Sequence, residues 1–187
     1  MIALVVGGAS SGKSAFAEDL ALGLPGPHWY VATMAAGGAE AARRIGRHRR
    51  LRAGKGFVTL EVAGATGLDL AALCQGAGVR GGTALVEDLG NLVATRLFFA
   101  DGSMAPAQEV LSGCLEDLGL VEGRVGNLVL VGNLVGSDGM AYDEATSLYL
   151  RLLGGLTCRL AAGSDLVVEV VCGQPNVLRG GEVLESL

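Results

Sequence analysis

The stretch Gly7-Gly8-Ala9-Ser10-Ser11-Gly12-Lys13-Ser14 constrains the fold of this chain more than any other. An apolar run at residues 2–6 precedes it and a run of helix formers at 15–24 follows it. Strand, glycine-rich turn and helix in that order, with Gly7, Gly12, Lys13 and Ser14 correctly spaced, make a phosphate-binding loop. Glycines let successive backbone N–H groups turn inward toward phosphate oxygens, where side chains would obstruct them. Lys13, expected in a solvated loop mouth, supplies a point charge to the β- and γ-phosphates, and the Ser14 hydroxyl is placed to ligate Mg²⁺. The helix that follows turns its positive end toward the anion.

Such a loop needs a sheet to carry it, and the composition provides one. The chain has 187 residues, 50% hydrophobic and 18% charged, which suits one nucleotide-binding catalytic domain over residues 1–187. A net charge of −5 and only 4% aromatic residues argue against nucleic acid as a partner. The four cysteines show no CxxC pair and read as small buried hydrophobes in a reducing compartment. No run reaches the ~18 apolar residues of a membrane span, and no charged leader precedes the first strand. The expectation is a cytoplasmic protein.

Along the chain, strands are expected at residues 2–6, 29–32, 58–62, 83–86, 128–131 and 166–171, the last of them closing the sheet. Helices are expected at 14–24, 39–52, 68–73, 89–99, 105–118 and 142–160, and the glycine-rich stretches 76–82 and 119–126 read as linkers. The strands are continuous apolar runs, so the fold class is α/β: a P-loop NTPase-like, mostly parallel sheet with helices on both faces. Ligands of such sheets gather at the carboxyl ends of the strands, where Gly7, Thr33, Glu87, Asn133 and Gly173 all lie.

Glu87 stands at the tip of a buried strand, where an acid paired with a phosphate loop holds Mg²⁺ directly or through water. A helix N-terminal acid is the alternative, and Asp88 is a second candidate for the same role. The other notable stretch runs from Arg43 to Arg52 and concentrates arginine in an acidic protein. Arg44, His48 and Arg52 recur every fourth residue and share a helix face. Packed arginines repel one another unless an anion lies between them, so a polyphosphate fits, while a solvated basic face or a local nucleic-acid patch is the plainer alternative. Arginines around His48 depress its pKa and leave the neutral, nucleophilic imidazole. Attack by that histidine on an α-phosphate gives a phosphoramidate, with the arginines holding the departing pyrophosphate. His28 reads as a loop residue.

The phosphate loop, Tyr30-Val31-Ala32-Thr33, Arg44-Ile45-Gly46-Arg47-His48-Arg49, Thr59-Leu60-Glu61 and the Glu87 strand occur in an order that resembles one family over nearly the whole chain. It is the bifunctional adenosylcobinamide kinase / adenosylcobinamide-phosphate guanylyltransferase family of cobalamin biosynthesis. The resemblance implies phosphorylation of adenosylcobinamide by ATP or GTP, then GMP transfer from GTP to adenosylcobinamide phosphate through a guanylylated histidine. It places that histidine on His48 and GTP-contacting acids on Glu61 and Glu87. Nucleotide contacts fall on Gly7, Gly8, Ala9, Ser10, Ser11, Gly12, Lys13, Ser14, Thr33, Met34, Arg47, Arg49, Arg50 and Arg52. Catalysis falls on His48 and Lys13, and Mg²⁺ on Ser14 and Glu87. A homo-oligomer, a trimer by resemblance, is also implied. Four departures stand out: Ser10 in place of an arginine, Leu134 in place of an acid, Thr157-Cys158 in place of Asn-Gln, and Asp88 and Gly90 in place of cysteine and threonine. A small-molecule kinase with another acceptor, or a nucleotide-binding paralogue without catalysis, are the alternative readings.

Overall fold

The computed structural model describes residues 1–34, 43, 46, 50, 54–61, 70–136 and 139–185. Seven strands among them form one sheet: β1 (Ile2–Gly7), β2 (His28–Ala32), β3 (Phe57–Glu61), β4 (Thr83–Glu87), β5 (Asn127–Asn133), β6 (Leu166–Val171) and β7 (Gln174–Arg179). Their spatial order is β3-β2-β4-β5-β1-β6-β7, and every neighbouring pair is parallel except β6 with β7. The helices are α1 (Lys13–Gly23), α2 (Leu70–Gly76), α3 (Leu89–Leu97), α4 (Ala107–Glu122), α5 (Glu144–Gly163) and the short α6 (Gly181–Glu185).

The continuous apolar runs become central strands because both faces of the sheet are covered. One face packs under α1, with Ala3, Val5, Tyr30, Leu85, Val129, Val131 and Val168 meeting Ala17, Leu20 and Ala21. The other lies under α3, α4 and α5, with Leu4, Val86, Leu128 and Leu130 meeting Leu92, Cys114, Leu118 and Leu156. Each fully buried leucine there contributes about 1.5–3 kcal/mol relative to an exposed one. A polar bond closes the sheet's amino end: Asp165 Oδ2 accepts from the Ile2 amide at 2.8 Å.

Several sequence expectations are corrected. The strand at 166–171 is not the last. A hairpin turn at Cys172-Gly173, both with positive φ (50° and 78°), leads into β7. That strand is an edge on which every residue is exposed, so it carries no burial pattern to read. The stretch 119–126 is a linker only in its second half, because α4 runs through Gly119 to Glu122 and the chain turns at 123–126 before β5. Nor do residues 76–82 form a linker throughout, since Gly76 closes α2. The helix expected to reach residue 99 stops at Leu97, and Phe98 turns extended to bridge Met104. The helix expected from residue 142 starts at Glu144, because Asp143 caps it by accepting from the Thr146 amide at 2.8 Å. Two of the four cysteines, Cys158 and Cys172, are exposed, whereas Cys74 and Cys114 are buried. Burial pushes both buried thiols up to about 11. His28 is no loop residue: it begins β2, and its ring nitrogen meets the Leu24 carbonyl at 2.8 Å. Among the described residues no helix is long and apolar enough to cross a membrane.

Candidate functional site

The parallel strands end together, and the sequence candidates meet at that edge. Gly7 closes β1 and pairs with Asn133 at the end of β5. Across the other half of the sheet, Glu61, Ala32 and Glu87 form one row, since Ala32 is the partner of both acids. In-register parallel neighbours point to the same face, so both carboxylates leave the sheet on the side of α1.

The phosphate loop is held by contacts that only small residues permit. A Cβ at Gly7 would lie 2.7 Å from the Val170 carbonyl oxygen, inside any real contact distance. Gly12 has φ of 94°, and a Cβ on it would sit 3.2 Å from Gly173 Cα. The unforeseen β6–β7 hairpin explains this crowding, for the Gly173 amide donates to the Ser11 carbonyl at 2.7 Å and buttresses the loop. On the opposite side, the Leu134 amide donates to the Gly7 carbonyl at 3.0 Å. Ala9 and Ser10 stay exposed at the tip, and Ser10 adopts φ of 57°.

Lys13 does not stand in a solvated mouth. It is buried, 8% exposed, and its Nζ donates back to the Gly8 carbonyl at 3.0 Å. Burial lowers its pKa from the ordinary lysine range, and the nearby Asp88 and Glu87 charges partly oppose that shift. Ser14 Oγ donates to Glu87 Oε1 at 2.5 Å, which joins the first helix to the tip of β4. The other Glu87 oxygen, Oε2, accepts from the Tyr30 hydroxyl.

Glu87 and Asp88, consecutive in sequence, take different duties. Asp88 caps α3: its Oδ1 accepts from the Asn91 amide at 2.7 Å and its Oδ2 from Asn91 Nδ2 at 3.1 Å. Burial raises the Asp88 pKa, against which the Asn91 amide, the Asn133 side chain and Lys13 favour the charged form. Gly90 is packed among these groups, and a Cβ on it would lie 2.8 Å from the Tyr149 hydroxyl. A threonine there would displace Tyr149 or Asp88, so the departures at 88 and 90 belong together. Tyr149 was not legible as a site neighbour, because α5 reaches this corner only through the tertiary fold.

Thr33 is fully buried, and its hydroxyl donates to the Asp88 carbonyl at 2.7 Å. Met34 follows it at the edge of the described residues. Arg43, Gly46 and Arg50 are helical, with both arginines exposed. His48, Arg44, Arg47, Arg49 and Arg52 lie outside the described residues.

The donor set tests the fit to Mg²⁺. A hydroxyl and a carboxylate 2.5 Å apart offer hard oxygen ligands, the type this ion takes. Among the described residues no group of three His, Cys, Asp or Glu side chains converges on one point. Mg²⁺ needs no such cage, because it keeps several waters and binds one or two protein oxygens beside substrate phosphates.

Residues 3–178 match the family model described as cobinamide kinase / cobinamide phosphate guanyltransferase. A bifunctional adenosylcobalamin biosynthesis protein of Pseudomonas aeruginosa is 34% identical over 179 residues, covering 95% of this chain and 96% of that protein. Among solved structures, a flagellar accessory protein of Methanocaldococcus jannaschii aligns with a TM-score of 0.42 and 10% identity, over 95% of this chain and 77% of that one.

Proposed function

The chain belongs to the cobinamide kinase / cobinamide phosphate guanyltransferase family, and from that premise we propose that it performs both reactions. It phosphorylates the aminopropanol hydroxyl of adenosylcobinamide, then transfers GMP from GTP to adenosylcobinamide phosphate to give adenosylcobinamide-GDP. The observation that carries the reading is the Lys13, Ser14 and Glu87 constellation at the phosphate loop of a chain matched almost end to end by this family.

In the kinase step the loop amides and Lys13 hold the nucleotide phosphates, and Lys13 exchanges its bond to the Gly8 carbonyl for bonds to phosphate oxygens. Ser14 and Glu87 would hold Mg²⁺, which would supply positive charge against the nucleotide phosphates. The acceptor hydroxyl attacks the γ-phosphorus, the bridging bond to the β-phosphate breaks, and the nucleoside diphosphate leaves.

In the transfer step His48 attacks the α-phosphorus of GTP. A P–N bond forms, the α–β bridging bond breaks, and pyrophosphate departs against Arg47, Arg49, Arg50 and Arg52. A phosphate oxygen of adenosylcobinamide phosphate then displaces the imidazole and takes the GMP. Glu61 contacts the guanine nucleotide, as the family pattern implies.

Both half-reactions should be measurable on the purified chain. Adenosylcobinamide with ATP or GTP reports the kinase, and adenosylcobinamide phosphate with GTP reports the transferase. The kinase rate should be the lower, because Leu134 presents an exposed apolar side chain beside the loop where the family pattern has an acid. A kinase rate equal to or above the transferase rate refutes that ordering. Absence of both products refutes the proposal and leaves nucleotide binding without this chemistry.

A further inference from the structure

The motif Tyr30-Val31-Ala32-Thr33 has no part in the two reactions as written, yet its tyrosine reaches the site. Tyr30 pairs with Leu85 across the β2–β4 ladder, two residues before Glu87. Tyr30, Leu85 and Glu87 therefore project to the same face of the sheet, under α1. The ring is 1% exposed and packs edge-on against Phe57, with centroids 5.7 Å apart. A carboxylate only accepts hydrogen bonds, so the phenol is the donor to Glu87 Oε2.

Glu87 needs such a partner. It stands on the last residue of β4 with a flexible side chain, and only one of its oxygens meets Ser14. Tyrosine has two side-chain torsions, and here the surrounding core fixes both. We propose that Tyr30 is a positioning residue for phosphate transfer, its hydroxyl holding Glu87 so that Oε1 faces Ser14 and the nucleotide-bound cation. This rests on the reading of Ser14 and Glu87 as the Mg²⁺ oxygens. Groups that orient a metal ligand this way usually matter 10–100-fold for metal affinity.

The test titrates Mg²⁺ calorimetrically into the full chain saturated with the non-hydrolysable imido analogue of GTP. Tyr30→Phe should raise the apparent Mg²⁺ dissociation constant roughly tenfold. Binding of the analogue in excess chelator and the thermal unfolding midpoint should both stay close to wild type. Glu87→Gln should weaken Mg²⁺ binding by a similar or larger factor. The double variant should be no weaker than Glu87→Gln alone, since the proposed effect on the cation passes through that carboxylate. Wild-type Mg²⁺ affinity in Tyr30→Phe, with Glu87→Gln still impaired, overturns the inference and leaves the cation site standing. Losses that add in the double variant also overturn it, by showing an independent structural role. An unchanged Glu87→Gln overturns the inference together with the assignment beneath it.

Discussion

Replacing Lys13 with methionine should lower phosphoryl transfer by roughly 10²–10³-fold and leave the nucleotide-free protein at least as stable as before. The two effects separate because the ammonium is needed by the transition state and is a burden on the folded state. It is buried, and desolvation holds its pKa below the ordinary lysine range. A base whose pKa is lower when folded destabilises the native state wherever it is protonated. That penalty is full below the folded pKa and disappears as pH rises past the free-lysine value of about 10.4. Methionine keeps an unbranched stem of similar length and removes the charge. The Gly8 carbonyl is not orphaned, for the Ser11 amide also reaches it at 3.3 Å. The checks are kinase turnover and thermal unfolding without nucleotide at neutral pH. A drop of many degrees in the unfolding midpoint would show that Lys13 braces the loop structurally. Unchanged turnover would remove it from phosphate transfer.

The same residue shows how far the sequence could be read. The loop pattern placed Lys13 at the carboxyl end of β1, but its burial and the nearby Glu87 and Asp88 charges follow from the tertiary fold, which the motif does not contain. The central strands were legible because burial on both faces makes them continuous apolar runs. β7 was not, since an exposed edge strand with Pro175 near its start carries no such run. Glycine misled in α4, where Gly119 sits inside a helix held by packing of Cys114, Leu118 and Val121. Glu87 could be found from its place at a strand tip, and Asp88 could not be separated from it. The Asn91 and Asn133 contacts that assign Asp88 to the α3 cap come from elements 3 and 45 residues away. Tyr30 was visible as a motif residue, but its duty follows only from the register that sets it opposite Leu85.

The second large effect belongs to His48, which lies outside the described residues and whose proposed role rests on chemistry and family pattern. If His48 forms the guanylyl intermediate, GTP radiolabelled at the α-phosphate should leave covalent GMP on the protein and release pyrophosphate. A P–N bond to imidazole is labile in acid and comparatively stable in base, which separates it from a serine ester. His48→Asn, able to hydrogen-bond but not to form the adduct, should lose the label and reduce guanylyl transfer at least about 10³-fold. Phosphorylation of adenosylcobinamide should persist in the same variant, because Lys13, Ser14 and Glu87 need no histidine. Labelling of the wild type should slow as pH falls below the imidazole pKa, because protonation removes the nucleophile. The other histidine is poorly placed to substitute. His28 begins β2 at the amino end of the sheet, bonded to the Leu24 carbonyl and set edge-on against Phe57, whereas the phosphate loop follows the carboxyl end of β1. Acid-labile label that survives in His48→Asn would therefore point away from histidine at the strand tips and overturn the intermediate proposed here. Loss of kinase activity along with the label would instead tie His48 to nucleotide binding in both reactions.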